Sequence, residues 1–269
     1  MSRNDTLVES YEYAGQTIEI HTDFDPFNPR HEYDHPGSTV CIWHRRYDLS
    51  DKGAPESPEA MVRMMIGELY NNDDKIAELE DMDWGAALAQ MVNEFPKLVV
   101  QLIYMYDHSG ITISTGSFSA YDPGGWDSGP VGFIYAMPKD VDKEWGGDPK
   151  QARECLESEI EEYDNYLTGQ VYGYIINPDS NINNESCWGF NGKIEYVKQE
   201  AEAVAKSISE RQNGQKTRRA LLKVAVTYVS DPDVPEEKVL DGLYMKANLA
   251  MADVKDVTVE EIVATEDAE

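Results

Sequence analysis

Basic residues are scarce in this chain: 23 Lys and Arg stand against 51 Asp and Glu, for a formal net charge of -28. A surface of that sign repels phosphate backbones and anionic headgroups, which argues against direct binding to nucleic acid or to an acidic membrane. Cysteine is equally sparse. Cys41, Cys155 and Cys187 are odd in number and far apart, so neither a disulfide framework nor a cysteine-rich zinc ribbon is available, and a reducing cytoplasm is expected. No apolar run approaches the ~20 residues of a membrane span, and the first residues lead into polar sequence without the apolar core of a secretory signal, so no membrane association is expected. The P-loop, GxGxxG, HExxH and GxSxG patterns are missing. What the chain does have is 41% hydrophobic residues over 269 positions, enough to bury a sizeable core.

The pattern of apolar residues sets out the elements. Alternation from Thr6 to Thr22 around Ala14-Gly15 predicts a β-hairpin. Residues 23–38 carry three prolines among Asp, Asn and His, which predicts a long loop without regular structure. A strand is expected over Thr39 to Leu49, with Cys41, Trp43 and Arg45 on one face and Val40, Ile42 and His44 on the other. Ser57-Pro58-Glu59 opens a helix with Met61, Met64, Met65 and Leu69 as its buried stripe. An acidic connector with helical turns over 71–83 and a second helix over Ala86 to Phe95 follow, and Leu98 to Tyr106 reads as a strand buried on both faces.

A further strand, Val131 to Met137, precedes an amphipathic helix that starts at Asp148-Pro149 and stops at Gly169. That helix places Ala152, Cys155, Leu156, Ile160, Tyr163 and Leu167 inward and Glu154, Glu157, Glu161 and Asp164 outward. Strands over 170–176 and 186–190, a helix from Ile194 to Arg211, a strand from Leu221 to Val229 and an acidic tail complete the chain. Strict βαβ alternation is missing, so the expected class is α+β: a single domain over 1–230 with a mostly antiparallel mixed sheet covered by amphipathic helices, then a C-terminal extension over 231–269.

Three stretches carry a resemblance: NPRHEYDHPGSTVCIWHRRYDLSDKG from Asn28 to Gly53, YDHSGITISTGSF with WDSGPVGFIY between Tyr106 and Tyr135, and EEYDNYLTGQVYGY with SCWGF beyond Glu161. Their HRRY and DHSG…WDSG motifs resemble an uncharacterised family of phage- and prophage-encoded proteins, over about two thirds of the chain. The chain departs from that family's pattern by extra loop residues between Phe118 and Trp126. The resemblance implies an origin rather than a chemistry. It favours a protein that acts in the cytoplasm of an infected host cell by blocking a defence or transcription protein.

Two constellations compete for a function. The first is Asp107, His108 and Ser109 with Asp127 and Ser128, which contains the residue types of a hydrolytic site: a histidine beside a carboxylate serves as general base and a serine as nucleophile. Asp107, His108 and Ser109 alternate faces, however, so they do not all converge, and the same side chains also suit loop amides between glycines. The second is electrostatic. Acidic faces recur at Glu78 to Asp83, Glu154 to Asp164, Glu195 to Glu202 and Glu260 to Glu269. Carboxylates fixed on helices resemble a phosphate backbone and are attracted over long range to a basic surface. Solvated helix faces, or adaptation to high salt, give the same composition.

Cys187-Trp188-Gly189-Phe190 looks like a papain-type nucleophile segment, but no histidine follows it, and a buried structural cysteine beside a core tryptophan is the favoured reading. Asp23, Asp25, Asn28, His31, Asp34 and His35, with His44 and His108, form a set that admits zinc or manganese, although the spacing fits no EF-hand. No cofactor is called for beyond such a divalent metal, and Arg45-Arg46 are read as partners for nearby carboxylates.

The favoured expectation is a non-enzymatic, phage-type acidic protein that inhibits a host protein with a basic surface, by nucleic-acid mimicry through Glu154, Glu157, Glu161 and Asp164. The alternative is a metal- or His/Asp-dependent hydrolase with His108 and Asp127 as catalytic residues.

Overall fold

The hairpin turn follows directly from two residues. Ala14 and Gly15 both take positive φ (51° and 76°), the backbone of a tight turn that matches strand twist, and they join β1 (Leu7–Tyr13) to β2 (Gln16–Thr22). The computed structural model describes residues 6–180 and 184–220, with side chains to 213. Of these, the residues up to 205 belong to one compact unit and those from 206 to a second. The expected boundary at 230, the strand expected over Leu221 to Val229 and the acidic tail lie outside the described residues.

The α+β class is as expected, but the strands form two sheets rather than one. β1 and β2 join β7 (Val171–Ile176) and β8 (Glu185–Asn191) in the order β1-β2-β7-β8, whereas β3 (Thr39–Ile42), β6 (Ser128–Ala136), β4 (Val99–Asp107) and β5 (Ile111–Ser114) form a sheet in the order β3-β6-β4-β5. Every pair is antiparallel. The split has a long-range cause: Ile18 of β2 pairs with Ile176 of β7, a partner that no local pattern announces.

The second sheet is the middle of a three-layer arrangement. One face holds Val40, Ile103, Met105 and Ile134 against Leu156, Ile160 and Tyr163 of α6 (Pro149–Leu167), with Val141 of α5 (Pro138–Glu144). The other face holds Cys41, Phe133 and Tyr135 against Met61, Met65 and Ile66 of α2 (Pro58–Leu69), Leu79 of α3 (Asp73–Glu80) and Met91 of α4 (Trp84–Glu94). Ser57, Asn72 and Asp83 cap these three helices by accepting from Ala60, Lys75 and Gly85 amides. Gly132 lets β3 come close to β6, because a Cβ there would land on the Cys41 carbonyl. In the first sheet, Lys198 and Glu202 of α7 (Ile194–Ala220) reach Glu9 and Tyr11 of β1.

Three local expectations need correction. The proline-rich loop contains one helical turn, α1 (Pro29–Glu32), because Asn28 caps it and Pro29 occupies the first helical position, where no N–H is required. The strand expected to run to Leu49 stops at Ile42; the alternation holds over 40–42, and His44 beyond it stacks on Tyr47 at 5.0 Å. β4 is buried on one face only. Val99, Gln101, Ile103 and Met105 point into the core, while Leu102 on the other face is 40% exposed.

Candidate functional site

α6 carries the site. Asp148 starts it by accepting from the Lys150 and Gln151 amides, and Ala152, Leu156, Ile160 and Tyr163 hold it to the sheet at helical spacing. A buried charge network fixes its height. Arg30, only 6% exposed, grips Asp51 with two bonds (Nε–Oδ1 2.9 Å, Nη2–Oδ2 2.5 Å) and Glu159 of α6 with a third (Nη1–Oε2 2.6 Å). Ser38 also donates to Glu159, His35 sits 3.5 Å from the same carboxylate, and Asp51 accepts from the Val40 amide. Burial alone would raise the Glu159 pKa, but the bonds from His35 and Ser38 and the Arg30 charge outweigh it and hold the carboxyl below its ordinary value.

With α6 held in this way, its flank and β5 enclose a groove of about 600 Å3. All four carboxylates expected to bind a partner, Glu154, Glu157, Glu161 and Asp164, line it, with the Thr112 hydroxyl and the Phe118 ring on the opposite wall. Asp164 does not point freely outward as expected. Its Oδ1 accepts from Thr112 Oγ1 and from the Ile113 amide, both at 2.7 Å, which ties α6 to β5. The reason is position: Asp164 follows the buried Tyr163 and lies one turn beyond Ile160, at the margin of the apolar stripe. Burial raises its pKa, the two hydrogen bonds oppose the rise and Glu161 adds to it. Glu157 is also engaged, accepting from Gln101 Nε2 at 2.6 Å. Glu154 and Glu161 are exposed, and Glu154 has only a loose contact of 3.5 Å with the exposed Lys150. Chemically the groove offers acceptors of negative charge, and it suits an ammonium or guanidinium group.

His108 and Asp127 do come together. His108 Nδ1 lies 3.0 Å from Asp127 Oδ2, and Tyr106 stacks on the imidazole at 5.9 Å. Both side chains are open to solvent, at 63% and 45% exposure. The neighbouring residues turn elsewhere: Asp107 pairs with Arg46 and accepts from Tyr47, Ser128 donates to Asp122, and Ser109 adopts positive φ (62°) in the turn. No complete set of nucleophile, base and orienting acid is assembled there among the described residues.

Three residues of the candidate metal set are used structurally. Asn28 caps α1, Asp23 accepts from the Asp25 amide, and His35 contacts the Pro29 carbonyl as well as Glu159. Among the described residues no group of three or more His, Cys, Asp or Glu is placed to hold a metal ion. Cys187 is exposed and Trp188 is 42% exposed, contrary to the expected buried pair, because side chains on both faces of β8 are exposed from Glu185 to Trp188; the indole instead packs over Gly173 and lies 6.0 Å from His21. Sequence reasoning also missed the buried pair of His21 Nε2 and Glu19 Oε2 at 3.1 Å, whose only signal was the i, i+2 spacing on one strand face.

Compared with known proteins, the chain matches no family model, no curated protein and no solved structure. Among the described residues no helix is long and apolar enough to cross a membrane.

Proposed function

We propose that this chain is a phage-type acidic protein that binds and inhibits a host nucleic-acid-binding or anti-phage defence protein, with the groove between α6 and β5 receiving basic side chains that otherwise engage phosphates. The observation that carries this reading is the convergence of Glu154, Glu157, Glu161 and Asp164 on one groove in a chain of net charge -28. The overall charge accelerates encounter with a basic surface, and the fixed carboxylates select the orientation. The partial burial of Asp164 supports it further. A carboxyl whose ionisation is opposed by burial gains most when a cation arrives beside it.

Capture from host lysate on the tagged protein tests the proposal. A basic nucleic-acid-handling protein is retained at low salt and released as salt rises. Failure to retain any such protein at low salt refutes it.

One observation favours a second reading, the 3.0 Å contact between His108 Nδ1 and Asp127 Oδ2, which is the geometry of a general base held by a carboxylate. Under that reading His108→Ala abolishes the biological effect of the protein. Survival of the effect in that variant removes the hydrolase from consideration.

A further inference from the structure

A second groove, of about 590 Å3, adjoins the acidic one at Thr115 and runs along the start of β4. Here β4 is an edge. Its ladder with β6 covers Val99 to Tyr106, but its ladder with β5 covers only Tyr104 to Asp107, so one side of Val99 to Ile103 has no strand beside it among the described residues. The direction of the free groups follows from two hydrogen bonds. The Asp107 amide donates to Asp127 O on the β6 side, and the His108 amide donates to Gly110 O on the β5 side. Period-two alternation then directs the backbone N–H and C=O of Val100 and Leu102 to the open side.

The two walls of this edge differ in chemistry. On the α4 side lie Leu88, Val92 and Leu102, and the last two are exposed apolar side chains at 37% and 40%. On the α6 side lies Gln101, whose side chain is buried and whose Nε2 is committed to Glu157 Oε1 at 2.6 Å. That bond fixes the amide orientation and leaves Oε1 buried with no hydrogen-bond partner. An orphaned buried acceptor is costly, so a donor that reaches it gains a hydrogen bond the fold itself does not supply.

We infer that the open edge of β4 binds an extended segment of a partner protein as an added antiparallel strand, in which apolar side chains facing Leu88, Val92 and Leu102 alternate with lysine or arginine facing Gln101 Oε1 and Glu157. The inference rests on the reading of the acidic groove as a site for a basic partner, and it specifies how that partner is held. Antiparallel addition continues the pairing of every strand already in the sheet. Arg153 is the charged side chain lining this groove, but the four carboxylates of the adjoining one, Glu154, Glu157, Glu161 and Asp164, outnumber Arg153 and Lys150 together, so the added strand is basic rather than acidic. A second copy of this chain is a poor occupant, because two bodies of charge -28 repel each other.

The test titrates the full chain with a short fluorescent peptide that alternates valine and lysine. In an antiparallel addition the residue opposite Leu102 shares its face and directs its N–H inward, so the valine amides make the ladder bonds. N-methylation of the valines is therefore expected to weaken binding about tenfold, and N-methylation of the lysines less than about twofold. Leu102→Glu is expected to abolish peptide binding, and circular dichroism of that variant checks its fold. Equal effects of the two methylations, or no effect of either, overturn strand addition. Loss of lysate capture in Glu154→Gln/Glu161→Gln, with peptide binding indifferent to methylation, keeps the acidic groove and overturns the added strand. Peptide binding that keeps its valine-specific response while lysate capture is indifferent to those two substitutions supports the strand site and overturns the acidic reading. Concentration-dependent dimers in sedimentation that Leu102→Glu dissolves would identify a second copy as the occupant and overturn the proposed partner.

Discussion

Replacement of Arg30 by methionine isolates the device that sets the height of α6. The substitution keeps a long unbranched side chain and removes a guanidinium that is 1% exposed, while its two carboxylate partners, Asp51 and Glu159, are 16% and 17% exposed. Both carboxylates then face the same emptied space without a cation. Breaking a buried ion pair from one side costs about 3–5 kcal/mol, and the partial exposure of the partners places the expected loss near the lower end, about 3 kcal/mol. Ser38, His35 and the Val40 amide remain to satisfy part of the oxygen valence. Adding Glu159→Gln to Arg30→Met removes one stranded charge, so the double variant is expected to lose less than the sum of the singles by at least ~1 kcal/mol. Urea unfolding followed by circular dichroism, with unchanged slope, reads these values. A loss below about 1 kcal/mol for Arg30→Met, or strict additivity, refutes the view that the network holds the helix.

Gly132→Ala drives a methyl group into the Cys41 backbone across the β3–β6 pair, and a loss of about 1–3 kcal/mol or more in the same assay is expected. Asp164→Ala strands the Thr112 hydroxyl and the Ile113 amide and costs about 1–3 kcal/mol, whereas Asp164→Asn keeps the Oδ1 acceptor. Because the folded-state pKa of Asp164 is raised, its contribution is present below the unfolded value and lost as pH rises through the folded one, so at pH 7 the asparagine variant is expected to be at least as stable as the wild type. The Arg30 network responds to pH from both sides. Glu159 has a lowered pKa, so its contribution is present above the ordinary 4.5 and fades as pH falls through its folded value; His35 has a raised pKa, first through its bond to Glu159, so its contribution is present below the ordinary 6.5 and fades as pH rises through its folded value. Urea midpoints across pH should fall on both flanks, and Glu159→Gln should flatten both.

The elements most legible in the sequence were those with their own punctuation. Asp148-Pro149 and Gly169 bound α6, Ser57-Pro58 starts α2, and Ala14-Gly15 turns the hairpin. What escaped was contact over distance. Nothing near Glu159 signals a bond to Arg30 across 129 residues, and nothing in the run from Leu98 to Tyr106 reveals that β5 pairs only with its end, from Tyr104 on, or that Gln101 lies inward and Leu102 outward. The four carboxylates of the candidate groove were found as one helix face, but their separation into two exposed, one hydrogen-bonded to Gln101 and one tied to β5 depends on strands that arrive from elsewhere in the chain. Strand alternation correctly parted Asp107 from His108, since each turns to a different partner.

The central claim is that the groove of Glu154, Glu157, Glu161 and Asp164 receives a basic partner. Its most direct test is a side-by-side lysate capture on wild-type protein and Glu154→Gln/Glu161→Gln, which leaves the carboxylates engaged with Gln101 and β5 untouched. At low salt the wild type should retain a basic nucleic-acid-handling or defence protein and the double variant should lose most of it, with circular dichroism unchanged. Equal retention by the two proteins, or retention of no basic protein by either, contradicts the account.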